Sequence, residues 1–169
     1  MIHEQGAHRT TLVDIAERAE VPLGNVYYYF KSKDELIGAV LASYQKEAAA
    51  LTRAFERHRS PQARLKALVK NWSDMRETVA RHGCPMGTLC TELDKDENGR
   101  DRDAAAVMAI IIDWAEDQFR QLERRDARDL ALALFAGIQG AALLANTFRD
   151  PTILTRQGRH LERWIDTLT

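Results

Sequence analysis

The chain has 169 residues, 45% of them hydrophobic and 29% charged, with a formal net charge of −1. This is the composition of an ordinary folded protein, with enough chain for one core or for a small head on a larger body. No apolar run of about 18 residues suggests a membrane span. No leader-type segment is expected, and two cysteines make no disulfide framework, so a reducing cytoplasm is the expected setting.

Only four prolines and nine glycines interrupt the chain, and β-branched runs are few, so a nearly all-α fold is expected. After a short opening, Met1-Ile2-His3-Glu4-Gln5-Gly6, the residues Leu12, Ile15, Ala16 and Ala19 recur at i, i+3, i+4, i+7. That spacing is one face of an amphipathic helix. Thr10 or Thr11 offers a hydroxyl to its first N–H groups. Pro22 stops this helix and suits the opening of the next. The second helix has Val26 and Phe30 on one inward face. Ser32 followed by Glu35 has the S-x-x-E form of a capping box and opens a third helix. Two short helices joined by a tight turn make a helix-turn-helix, the arrangement that lays its second helix in a DNA major groove.

With Val26 and Phe30 turned inward, Leu23, Gly24, Asn25, Tyr27, Tyr28 and Tyr29 share the rim and outer surface of that second helix. Asn25 can read a base edge, while tyrosine hydroxyls, Lys31 and Lys33 can hold phosphates. Gly24 costs about 1 kcal/mol of helix propensity against Ala, which makes sense where another molecule approaches the backbone. The expected DNA contacts are Thr10, Thr11, Leu23, Gly24, Asn25, Tyr27, Tyr28, Lys31 and Lys33. Residues 1–33 carry four Lys/Arg against four Asp/Glu, so phosphate attraction must be local rather than a property of a basic head.

The string T-T-L-V-D-I-A-x-x-A-x-V-P-L-G-N-V-Y-Y-Y-F-K-S-K-D-E-L, residues 10–36, resembles the DNA-binding domain of the TetR/AcrR family of bacterial transcriptional regulators. Glu20 departs from the glycine usual in the family's turn, at the cost of strain if its φ is positive. The resemblance implies an all-α protein with a helix-turn-helix head over residues 1–45 and a ligand-binding, dimerising body over residues 46–169. It also implies a helix ahead of the helix-turn-helix, of which residues 1–6 resemble only the tail. On the order of 15 further residues, including a basic arm, are therefore expected before Ile2, since short helices alone are marginal.

The helix from Ser32 carries Leu36, Ile37, Val40, Leu41, Tyr44 and Ala48 and should run to about Arg57. Ser60-Pro61 caps and opens another, with Leu65, Leu68, Val69, Trp72, Met75 and Val79 at helical spacing. Residues 81–87 break the pattern, a short helix from Thr88 to Leu93 follows, and residues 95–103 read as a charged loop with an Asn98-Gly99 turn. Asp101 or Asp103 should open a helix bearing Val107, Met108, Ile111, Trp114, Phe119 and Leu122. Trp72, Met75, Met86, Cys90, Met108, Ile111, Trp114 and Phe135 are candidates for an effector pocket or equally for ordinary core.

Asp126 should cap a helix that is apolar nearly all round over residues 130–145. Such a helix must be buried on more than one side, here by a second subunit. Ala133, Gly137, Gly140, Ala141 and Leu144 form its small-residue stripe. Asp150-Pro151 starts a last helix whose inward side holds Leu161, Trp164, Ile165 and Leu168. These two helices look like the family's homodimer surface, a four-helix bundle across a two-fold axis.

His82, Cys84 and Cys90 lie near Glu92 and Asp94, but without zinc-type spacing, so neither metal nor cofactor is expected. Either cysteine could sense an oxidant or electrophile if its pKa were lowered. Gln139, alone in the most apolar helix, needs a hydrogen-bond partner, expected at the dimer interface or in the backbone. No phosphate loop, nucleophile elbow or paired-carboxylate signature supports an enzyme. The expected function is transcriptional regulation: in the first instance a repressor whose operator double-stranded DNA is released by an apolar or aromatic small molecule. The alternatives are redox or electrophile sensing through Cys84 or Cys90, and a helical ligand-binding protein with a vestigial helix-turn-helix.

Overall fold

The computed structural model describes residues 1–93 and 100–168, with the side chains of residues 100 and 101 left aside, and over these residues the chain is helical. The elements are α1 (Ile2–Gln5), α2 (Leu12–Arg18), α3 (Leu23–Tyr29), α4 (Lys33–Phe55), α5 (Pro61–Asp74), α6 (Arg76–His82), α7 (Pro85–Leu93), α8 (Arg100–Gln121), α9 (Ala127–Phe148) and α10 (Thr152–Asp166). The expected Asn98-Gly99 turn lies outside the described residues.

Local chemistry explains most of the boundaries. Thr11 caps α2 with a full capping box, accepting from the Asp14 N–H at 3.1 Å while Asp14 accepts from the Thr11 N–H at 2.8 Å. Ser32 caps α4 by accepting from the Glu35 N–H at 3.2 Å, but Glu35 returns to the Lys31 N–H at 2.7 Å, one residue before the position a reciprocal box would use. Ser60 caps α5 ahead of Pro61. Asp150 opens α10, accepting from the Thr152 N–H at 2.8 Å.

Several expectations are corrected. The helix expected over residues 65–79 breaks at Met75, which ends α5 and begins α6. The interruption after α6 is short, because Gly83 takes φ +82 and Pro85 already belongs to α7. Helix α8 is running at both Asp101 and Asp103, so neither opens it. The Asp126 side chain caps nothing; it pairs with Arg124 at 3.0 Å. That pairing draws the Asp126 carboxyl below its usual range.

Three helices end in the same way. Glu20, Glu123 and Arg149 have φ of 55, 59 and 54 degrees. Glu20 and Glu123 sit two residues past the ends of α2 and α8 and Arg149 one past α9, and in each case the helix's last carbonyls are closed by a pair of bonds. In the head, the Val21 N–H donates to Ala16 O at 3.0 Å and the Glu20 N–H to Glu17 O at 3.1 Å. This is the Schellman arrangement, which glycine usually serves. Arg149 has a second use, since its guanidinium donates to Ala80 O at 3.3 Å and to Arg81 O, capping α6.

Three apolar clusters result. The largest packs Leu65, Leu68, Val69 and Trp72 of α5 against Ile111 and Phe119 of α8, Leu134 and Ile138 of α9, and Leu161 and Ile165 of α10. The head cluster joins Leu12, Ala16, Val26 and Leu36, with Ile2, Ile15 and Phe30 partly buried around it. Between them, Ala7, Ile37, Leu41, Leu89, Leu93, Ala104 and Val107 tie the head to the body. Helix α9 is long and apolar enough, by length and composition, to cross a membrane, contrary to the reading of the sequence, and 39% of its apolar window is buried inside the protomer. It lies centrally here, packed on α6, α8 and α10.

Candidate DNA-binding head and effector cavities

Helix α3 presents the expected face to solvent. Tyr28 and Tyr29 are each 73% exposed, stacked edge-on with ring centres 5.1 Å apart. Tyr27, Leu23, Gly24 and Asn25 are also exposed, whereas Val26 is buried and Phe30 half-buried. Tyr29 was not among the expected contacts, although it shares Tyr28's exposure. Nothing lies within 4 Å of the point where a Gly24 Cβ would stand, so no neighbour inside the protein demands glycine there.

The flanking polar groups are held in place. Lys31 Nζ donates to the carbonyls of Tyr27 at 2.9 Å and Tyr28 at 3.1 Å, closing the end of α3. Lys33 Nζ donates to His8 O at 2.8 Å. Both amines are exposed and can exchange these bonds for phosphate oxygens. Thr11 is exposed at the start of α2. Thr10 is a correction: it is buried, and its hydroxyl donates to Gly6 O at 2.7 Å, so it is unavailable to DNA.

Seven of the eight candidate effector residues divide between two cavities. An inner cavity of about 260 Å³ lies among α4, α5, α7 and α8 and takes in Trp72, Met75, Met86 and Ile111 together with Tyr44, Glu47 and Ala48. An outer cavity of about 420 Å³ lies between α7 and α9 and takes in Cys90, Met108 and Phe135 together with Cys84, Gly87, Gln139, Gly140 and Leu143. Trp114 belongs to neither, because its indole N–H donates to Glu56 at 2.7 Å and its ring packs on Phe55. Gln139 lines the outer cavity. Its buried amide nitrogen makes no bond of full hydrogen-bond geometry among the described residues, and its polar neighbour is the Cys84 thiol, whose pKa burial raises and Gln139 lowers. Leaving a buried donor unpaired costs about 1–3 kcal/mol.

Both thiols are poor nucleophiles. Burial pushes the Cys84 thiol up, and its sulfur accepts the Gly87 N–H at 3.1 Å. Burial pushes Cys90 up to about 11, and its thiol donates to Ala104 O at 3.3 Å.

Helix α7 lies between both cavities and the head. Pro85 and Met86 face the inner cavity, Gly87, Thr88 and Thr91 the outer one. Leu89 and Leu93 face the cluster that holds Ala7. Glu92 accepts the Ala7 N–H at 2.5 Å and the His8 N–H at 3.2 Å. Just ahead of α7, Gly83 O bonds His3 Nε2 at 2.8 Å. The Glu92 carboxylate bonds are charge-assisted, a kind worth about 1.5–3 kcal/mol. No sequence signal pointed to Glu92, whose partners are 84 and 85 residues away.

The proposed dimer stripe splits in two. Ala133, Gly140 and Leu144 are exposed, and so are Leu132, Leu143 and Phe148 of the same helix. Gly137 instead faces Gln157 and Leu161 of α10, and Ala141 is buried. Leu161 and Ile165 are buried within the protomer, and Trp164 packs on Phe119 at 6.1 Å between ring centres, with Leu168 half-buried beside the same core. The α10 residues thus pack on their own subunit's core, Trp164 and Leu168 remaining half-buried. The outer side of α10 carries Arg156, Arg159 and Arg163 instead.

Comparison with known proteins agrees with this geometry. Residues 1–40 match the model of the bacterial regulatory proteins of the tetR family, and residues 61–160 match the C-terminal domain of the LmrA/YxaF-like transcriptional regulators. The chain is 29% identical to an HTH-type transcriptional regulator encoded in the lacX 3′ region of Lactococcus lactis subsp. lactis, over 91% of this chain and 82% of that one. It is 31% identical to the HTH-type transcriptional regulator BetI of Burkholderia mallei, over 66% of this chain and 72% of that one. A TetR transcriptional regulator from Legionella pneumophila shares the fold, with a TM-score of 0.85 at 19% identity over 98% of this chain and 89% of that one. The helix-turn-helix head, the helical body and these two matches together make the chain a member of the TetR family of DNA-binding transcriptional regulators.

Proposed function

We propose that the protein is a homodimeric cytoplasmic repressor that an apolar small molecule, bound in the inner cavity, releases from its operator. The observation that carries this reading is the position of α7, which lines the inner cavity on one side and holds the head through Glu92 on the other. The head extends to about the middle of α4, near residue 45, and the remainder forms the body. Two copies meeting on the outer face of α9 set two α3 helices in successive major grooves, about 34–36 Å apart. Gly24, Asn25 and the three tyrosines meet the bases and backbone, and Thr11, Lys31 and Lys33 meet the phosphates.

An occupied inner cavity displaces α7. The displacement is carried by Glu92 to the Ala7 and His8 amides, and so to α2 and α3. A ligand that favours the displaced state lowers DNA affinity by its differential affinity for the two states. The raised thiols speak against the redox alternative.

Fluorescence anisotropy with DNA from the gene's own upstream region tests the DNA assignment, and a reporter strain tests the sign. Specific binding should weaken at least about tenfold in Tyr28→Ala, and deletion of the gene should raise transcription from its target promoter. Unaltered binding in Tyr28→Ala, or transcription that falls on deletion, contradicts the reading.

A further inference from the structure

We infer that the end of the body opposite the head is a second nucleic-acid site, which grips the phosphate backbone of a duplex without reading its bases. The inference goes beyond the effector reading and does not depend on it.

The positive charge of the chain lies away from the helix-turn-helix. Residues 1–33 balance four Lys/Arg against four Asp/Glu, whereas residues 53–70 hold six Lys/Arg and one Asp/Glu. That second stretch is the end of α4, the turn that follows it and most of α5. Helix α4 has 23 residues, about 35 Å of helix, so the basic end stands far from the face of α3. Three of the six cations are engaged: Arg64 with Glu56 at 3.0 Å, Lys66 with Asp166, and Lys70 with Asp74 at 2.6 Å. Arg53, Arg57 and Arg59 are exposed and have no ion pair among the described residues.

A groove of about 480 Å³ beside α5 gathers Arg57, His58, Lys66 and Lys70. Two carboxylates, Asp74 and Glu162, also border it. Lys70 neutralises Asp74, and Glu162 is flanked along α10 by Arg159 and Arg163, which are exposed and have no ion pair among the described residues. Arginine's planar fork matches phosphate oxygens. A peptide partner needs apolar anchors, and a membrane surface needs apolar side chains to insert. The large hydrophobic side chains exposed among the described residues lie on α2, α3 and α9 and at Val21, none of them on α5, on α10 or in the turn after α4. The fitting occupant is therefore a hydrophilic chain of closely spaced negative charges, and a duplex presents one charge per about 1.7 Å of its axis. Contacts of this kind hold the backbone and carry no sequence information.

The test is fluorescence anisotropy of the full chain with a labelled duplex of scrambled sequence, over a series of salt concentrations. The proteins are the wild type, Arg53→Gln/Arg57→Gln/Arg59→Gln and Lys31→Gln/Lys33→Gln. The three arginines are exposed and glutamine has nearly the same helix propensity, so the arginine variant keeps its fold, with operator binding as the control. Its affinity for the scrambled duplex should fall at least about tenfold at low salt, its salt slope should shrink by about two to three units, and its operator affinity should change less than about twofold. The lysine variant should lose operator affinity and keep the scrambled duplex. Wild-type protein held on immobilised operator should also capture the labelled scrambled duplex, and the arginine variant should not. No wild-type binding of the scrambled duplex, binding that survives in the arginine variant, or binding lost with the lysines overturns the second site and leaves the operator reading standing. An equal loss of operator affinity in the arginine variant overturns it as well, since one site would then serve both. Tighter binding of labelled polyglutamate or of phosphatidylglycerol vesicles through the same arginines overturns it in favour of an acidic protein or a membrane.

Discussion

Glu20 holds a left-handed conformation, φ 55, in the turn between α2 and α3. Its side chain serves no described bond there. Glycine at that position adopts the same backbone without the Cβ penalty of about 1–2 kcal/mol. Glu20→Gly is therefore expected to stabilise the head by about 1 kcal/mol, measured as a raised urea midpoint at unchanged slope. An unchanged midpoint would show that the turn is not strained. Arg149 differs from Glu20 in kind: its guanidinium caps α6, so Arg149→Gly should relieve the backbone but lose the cap. Gly24 gives a paired test. Alanine there meets open space and should gain up to about 1 kcal/mol of helix stability, yet DNA affinity should fall if a duplex approaches that backbone. At Cys90, a pKa pushed up to about 11 keeps the thiol protonated at pH 8, and alkylation by iodoacetamide should be on the order of a hundredfold slower than for an unperturbed thiol, rising only as the pH nears 11; burial slows Cys84 in the same direction. Thiols that react at the unperturbed rate would restore the redox alternative. Residue-level reading of the sequence was sound where a neighbour in the chain decides the outcome, as with Ser32 and Thr11. It failed for Thr10, whose burial is decided by a turn back to Gly6.

Helices α2, α4 and α5 could be read from apolar spacing and caps, and α3 from Val26 and Phe30 behind Pro22. The Met75 break could not, because the apolar period continues through it from Trp72 to Val79. Helix α9 was recognisable as a helix buried on several sides, but its faces were not, because small and large apolar residues surround it almost completely. In the structure the faces separate. Gly137 has Leu161 Cδ2 at 3.2 Å from where its Cβ would stand, while Gly140 has nothing within 4 Å. Gly137→Leu should overpack α9 against α10 and cost about 1–3 kcal/mol of protomer stability. Gly140→Leu should leave protomer unfolding nearly unchanged and weaken self-association. Thermal denaturation and sedimentation velocity on the two variants distinguish these outcomes; the reverse pattern would place the partner surface on the α10 side.

At the scale of the molecule, the account depends on a chain of contacts that no local pattern contains. The inner cavity touches Met86, Met86 stands on α7, and Glu92 on the same helix holds the backbone of Ala7 and His8. The most direct measurement is a double-mutant cycle on operator affinity that needs no knowledge of the natural effector. Ala48 is buried and lines the inner cavity, so Ala48→Phe fills it in the manner of a bound ligand. Operator dissociation constants would be measured by anisotropy for the wild type, Ala48→Phe, Glu92→Ala and the double variant. If α7 and Glu92 carry the signal, Ala48→Phe weakens operator binding about tenfold or more in the wild-type background and by no more than about twofold when Glu92 is alanine. Equal losses in the two backgrounds would contradict the account, because the cavity would then reach the head without passing through Glu92.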